Sequence, residues 1–111
     1  MAYDLELAQR IRALLTFDPD VVEQKMFGGL AFLIGGHMAV AASGGGGLLL
    51  RCEPDETDAL LREPGAEQFV MRGKAMSGWL RVNAEGIEDD AELKRWVEVG
   101  AGLARSLPPK P

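Results

Sequence analysis

Cysteine and histidine are almost absent from this chain of 111 residues, which holds one of each, Cys52 and His37. A lone cysteine excludes an internal disulfide and any cysteine-based zinc site, and it fits a reducing compartment, so the cytoplasm is the expected location. His37 has no Cys, Asp or Glu at ligand spacing, so no metal and no cofactor are expected. Long apolar runs are missing too. The longest, Leu30 to Ala42, is interrupted by Gly35, Gly36 and His37, and falls short of the ~20 residues a membrane-spanning helix needs. No membrane association is expected. The opening Met1-Ala2-Tyr3-Asp4 lacks the basic and apolar regions of a signal peptide. Basic charge is also in deficit, with 12 Lys and Arg against 17 Asp and Glu and a net charge of −5, which disfavours a nucleic-acid partner.

What is present describes one ordinary domain over residues 1–111. Apolar residues make up 47% and charged residues 26%, and folding at this length buries roughly two-thirds of the surface of the unfolded chain. Asp4 to Leu15 carries apolar residues at helical spacing, with Asp4 as N-cap, until Phe17-Asp18-Pro19-Asp20 breaks the pattern. Val21 to Met26 alternates like a half-buried strand and ends at Gly28-Gly29. Leu30 to Ile34 and His37 to Ser43 are joined by Gly35-Gly36, a pair suited to a primed hairpin turn, and Gly44 to Gly47 leads into Leu48 to Cys52. Pro54 starts a short helix to about Arg62, ended by Pro64-Gly65. Gln68 to Arg72 and Trp79 to Asn83 read as strands linked by a loop, Gly73 to Gly78. The closing helix has Asp89 as N-cap, Glu92 in capping-box position and an apolar stripe of Leu93, Trp96, Val97, Gly100, Leu103 and Leu107. The expected fold is α+β, a single two-layer domain in the order α-β-β-β-β-α-β-β-α, with an antiparallel sheet and helices mainly on one face.

Charge is segregated along the chain. Gln24 to Cys52 and Gln68 to Val82 contain no acid, and between them hold the bases Lys25, Arg51, Arg72, Lys74 and Arg81. Alternation puts Trp79 with Arg81 on one strand face, while Arg72, Lys74 and Met76 frame the preceding loop. An aromatic ringed by cations suits a patch for an anionic or protein partner. The candidate contact residues are Lys25, Phe27, Arg72, Lys74, Met76, Trp79 and Arg81. Their bland reading is a tryptophan covered by the aliphatic stems of its neighbours.

Other chemistry-bearing residues read as structural. Gly44 to Gly47 precedes a strand and is followed by no Lys-Ser or Lys-Thr, so it is a flexible hairpin and not a phosphate loop. Cys52 sits among leucines as a buried apolar residue, and the methionines are spread over separate strands as core filler. The carboxylates at Asp55, Glu56, Asp58 and Glu88 to Glu92 suit helix starts. No nucleophile, base and orienting group can be assembled, so no catalytic residue is expected. An open antiparallel sheet leaves an edge strand unpaired unless charge or a loop covers it, and with apolar strands such as Leu48 to Cys52 available for such an edge a homodimer is expected.

The corner Lys25-Met26-Phe27-Gly28-Gly29, the segment Gly73-Lys74-Ala75-Met76-Ser77-Gly78-Trp79 and the tail Ala104 to Lys110 together resemble the N-terminal domain of the TfoX/Sxy family in its short standalone bacterial form. Met26, Gly28 and Gly29 carry the structural part of that motif. The resemblance spans nearly the whole chain and implies a small α+β domain. It also implies a regulatory role, since TfoX proteins regulate natural competence and act with a transcription activator. The expectation is a non-enzymatic module working through protein–protein contacts. The alternative is weak nucleic-acid binding through the acid-free segments, and the third reading is small-ligand binding or an enzyme.

Overall fold

The computed structural model describes residues 3–26 and 28–109. Six strands form one antiparallel sheet: β1 (Val21–Met26), β2 (Gly29–Ile34), β3 (His37–Ala42), β4 (Leu48–Arg51), β5 (Ala66–Met71) and β6 (Lys74–Val82), in the spatial order β1-β2-β3-β4-β6-β5. Four helices stand beside the sheet among the described residues: α1 (Leu5–Leu14), α2 (Thr57–Leu60) after a 3-10 turn at Pro54–Glu56, α3 (Ala84–Ile87) and α4 (Asp90–Ser106). Helices pack mainly on one sheet face, so the two-layer α+β expectation holds.

Local signals act where expected. The Asp4 carboxylate accepts from the N–H groups of Glu6 (2.9 Å) and Leu7 (3.2 Å), capping α1. Asp89 caps α4 through Ala91 N–H at 2.7 Å. Glu92 turns to Arg95 (3.1 Å), so the cap uses Asp89 and not a reciprocal box. The Met26-to-Gly29 corner is tight: Met26 pairs with Gly29, and Gly28 has φ +75°. A Cβ on Gly29 would lie 3.0 Å from Gly44 N and nearer still to the Ala42 oxygen, so a side chain there would push β2 off β3.

The main core lies between sheet and helices. Trp96, Phe32, Ile11, Leu48, Leu50, Leu80 and Val82 are fully buried there. From α4 the buried positions are Leu93, Trp96, Val97, Gly100, Ala101 and Ala104, whereas Leu103 is only half-buried; small residues let the helix lie close on β3. Three sequence expectations need correction. The presumed loop 73–78 is mostly strand: the turn is Arg72-Gly73, both at positive φ (54° and 79°), and β6 runs from Lys74 with a register shift opposite Gln68/Val70. A short helix, α3, follows β6, because Asn83 caps it through Gly86 N–H at 3.3 Å. The strand from Leu48 is not an edge, since β6 returns to pair with it and buries it centrally; β1 and β5 are the edges.

Candidate protein-interaction face

The sheet face opposite the helices has its own small cluster. Ala31, Met38, Ala41 and Leu49 are buried there, with Met26, Leu33, Phe69 and Trp79 packed around them. The buried members are short or central in a twisted sheet, so their larger neighbours shield them.

At the β4-β6-β5 end this face carries a row of three side chains. Arg51 pairs with Trp79 across β4 and β6, and its guanidinium carbon sits 5.4 Å from the Trp79 ring centroid. Phe69, from β5, lies on the other side of Trp79 with ring centroids 5.9 Å apart and a 40° tilt. Arg51 Nε is buried without a hydrogen-bond partner among the described residues. A buried donor left unpaired costs stability unless something else repays it.

Beside this row, Arg81 pairs with Leu49 on β4 and Glu67 on β5. Its Nη2 donates to the Gly46 carbonyl at 2.7 Å, so part of this cation is spent bracing the glycine-rich turn. Arg72 and Lys74 are exposed at the β5–β6 turn. Met76 is half-buried and, with Trp79, Leu61, Thr57 and Pro54, lines a cleft of about 170 Å³. Two hydrogen bonds hold Gly78 beside that cleft. Thr57 Oγ1, nearly buried, accepts the Gly78 N–H at 2.9 Å, while Gly78 O accepts from Cys52 N–H at 2.9 Å.

The structure therefore brings Arg72, Lys74, Met76, Trp79 and Arg81 to one end of the sheet. Lys25 is not among them. It stands opposite Leu30 on the helix side of β1, with β2, β3 and β4 between it and β6, a separation of about four strand spacings or ~19 Å. Phe27 lies outside the described residues. Arg51 and Phe69 belong with the patch, and only the β4–β6 pairing, which is non-local, joins Arg51 to Trp79. The patch is also less free of acid than the chain segments suggest. Glu67 faces Arg81 and accepts from Asn83 Nδ2 at 3.0 Å, and Asp58 reaches the cleft.

The remaining chemistry-bearing residues are tied into the fold. His37 Nε2 lies 2.7 Å from the Pro108 carbonyl; a carbonyl can only accept, so Nε2 carries the proton and clips the tail to the β2–β3 hairpin. Burial pushes the Cys52 thiol pKa up, with a contact to the Thr57 hydroxyl opposing, the reverse of what activates a nucleophile. Among the described residues no group of three His, Cys, Asp or Glu is placed to hold a metal, and no helix is long and apolar enough to cross a membrane.

The family described as the TfoX N-terminal domain matches residues 13–102, from the last two residues of α1 into α4 and including every strand among the described residues. The chain belongs to the TfoX N-terminal domain family. Comparisons with curated proteins and with solved structures returned no match. The match includes the Met26-Gly28-Gly29 corner, whose close approach to Ala42 and Gly44 explains why glycine stands there, and the β6 segment that carries Trp79.

Proposed function

We propose that this TfoX N-terminal domain is a non-enzymatic regulatory module that holds a protein partner on the open sheet face. The observation that carries this reading is the row Arg51–Trp79–Phe69, a cation and two aromatics on the face opposite the main helix layer, with the Arg51 Nε unpaired among the described residues. Aromatic and Arg side chains of this kind are the usual anchors of protein interfaces. Arg51, Arg72, Lys74 and Arg81 outnumber Glu67 and Asp58 around the row, so the fitting partner presents apolar side chains flanked by carboxylates. Membership of the TfoX N-terminal domain family supports a competence- or transcription-related role for this module.

The test is capture from a native lysate with the wild type and with an Arg51→Glu, Trp79→Ala double variant, each with and without nuclease. A nuclease-resistant partner retained by the wild type and lost by the variant is the expected result. A partner held equally by both would remove the patch. Enrichment that disappears with nuclease and with added salt would move the function to nucleic acid, whose phosphate contacts are strongly salt-dependent.

A further inference from the structure

The edge strand β1 is complementary to itself, and we infer that a second copy of this chain pairs with it antiparallel about a two-fold axis at Gln24. This surface is separate from the Trp79 row and does not depend on its role. Among the described residues β1 has one strand neighbour, β2, so its outer side is open to pairing. Met26 stands opposite Gly29 at the end of the β1–β2 hairpin, the place where the two residues flanking a two-residue connection exchange the close pair of ladder bonds. Alternation then turns the N–H and C=O groups of Met26, Gln24 and Val22 toward β2, and those of Lys25, Glu23 and Val21 outward.

A two-fold pairing that keeps both helix layers on the same side must match residues of like face, which leaves few registers. With Gln24 on the axis, Glu23 of each copy stands opposite Lys25 of the other, and these are the residues whose backbone groups point outward. Two cross-strand ion pairs therefore coincide with the backbone ladder. On the opposite face Val22, which is 59% exposed, meets Met26, an outlying member of the open-face cluster, so that cluster continues across the axis. Moving the axis by one residue sets Glu23 against Glu23 or Lys25 against Lys25, which like-charge repulsion disfavours. Arg12 already positions Glu23, donating from Nε at 2.5 Å and Nη2 at 2.7 Å to its two oxygens. The other edge, β5, reads Ala-Glu-Gln-Phe-Val-Met and has no base to pair with its own acid. Charges on an edge strand ordinarily guard against open-ended pairing. Here the same charges select one closed partner.

Sedimentation of the full chain should give a mass of twice 12.0 kDa at high concentration. Lys25→Glu alone and Glu23→Lys alone should each be monomeric, and an equimolar mixture of the two should recover the dimer, because each then presents the charges the other needs. Independently, Gln24→Cys should form a disulfide-linked dimer under mild oxidation, since Cα atoms of a non-hydrogen-bonded antiparallel pair are about 4.5 Å apart, within disulfide reach. The buried Cys52 should not contribute. A monomeric wild type, or a dimer indifferent to both charge variants, would overturn the pairing. Gln24→Cys chains that fail to cross-link while the wild type remains dimeric would overturn the register.

Discussion

Replacing Gly100 by alanine should destabilise the domain, although helix propensity alone points the other way. Gly100 lies inside α4, where Gly-to-Ala ordinarily adds about 1 kcal/mol. Here a Cβ would stand 2.9 Å from both the Ala39 carbonyl carbon and Val40 Cγ1, and closer still to the Ala39 oxygen. The obstacle is the backbone of a central strand, which cannot swing aside as a side chain can. Relief requires α4 to rise off β3, and a gap of 0.5–1 Å forfeits roughly a quarter to a half of each dispersion contact. Trp96, Val97, Ala101 and Ala104 share that contact surface. Overpacking of this kind costs about 1–3 kcal/mol, here at the upper end because backbone is involved, so the net loss should be about 2 kcal/mol. Gly102, two residues on, is exposed and has nothing within 4 Å of its would-be Cβ, so Gly102→Ala should gain about 1 kcal/mol. The two alanine variants should thus separate by about 3 kcal/mol in urea denaturation, with Tm moving in opposite directions by roughly 4 °C per kcal/mol. If Gly100→Ala proved as stabilising as Gly102→Ala, the close packing of α4 on β3 would be refuted.

Two further changes probe polar groups. Thr57→Val keeps the volume but leaves the buried Gly78 N–H without its acceptor, which should cost about 1–3 kcal/mol in denaturation, whereas Thr57→Ser, which keeps the hydroxyl, should cost less. The Asp18 carboxylate is held below its usual pKa by the Arg105 guanidinium first and by the Asp20 N–H second, at 2.9–3.1 Å. Because the folded pKa is depressed, its stabilisation is complete above the unfolded Asp pKa of about 3.9 and is lost as pH falls through the lower folded value. Asp18→Asn should therefore lower stability at neutral pH and flatten its decline in acid, as read from denaturation midpoints across that range; an unchanged acid limb would show the pair to be inert.

Periodicity and local chemistry were enough for the elements. The Val21–Met26 strand, the Gly35-Gly36 turn, the Asp4 and Asp89 caps and most of the α4 stripe each depend on a few neighbouring residues, so each is visible in the chain and formed; the half-burial expected of Val21–Met26 did not, because an edge strand leaves both its faces largely exposed, and Leu107 falls just past α4. A short apolar strand is different. Leu48–Arg51 has the same side-chain pattern whether it is an edge or a centre, and only the return of β6 decided which. The same pairing placed Arg51 beside Trp79 and left Lys25 on the far edge, turned toward the helix side. The amino-acid sequence by itself therefore determined the longer helices, the first four strands and their turns, because those depend on 3.6- and 2-residue repeats and on local capping, whereas the start of β6 and the short α3 emerged only in the folded chain. The tertiary structure alone decided which charges stand together, which strands remain open and why Gly100 has no side chain, because these are contacts between residues far apart in the chain.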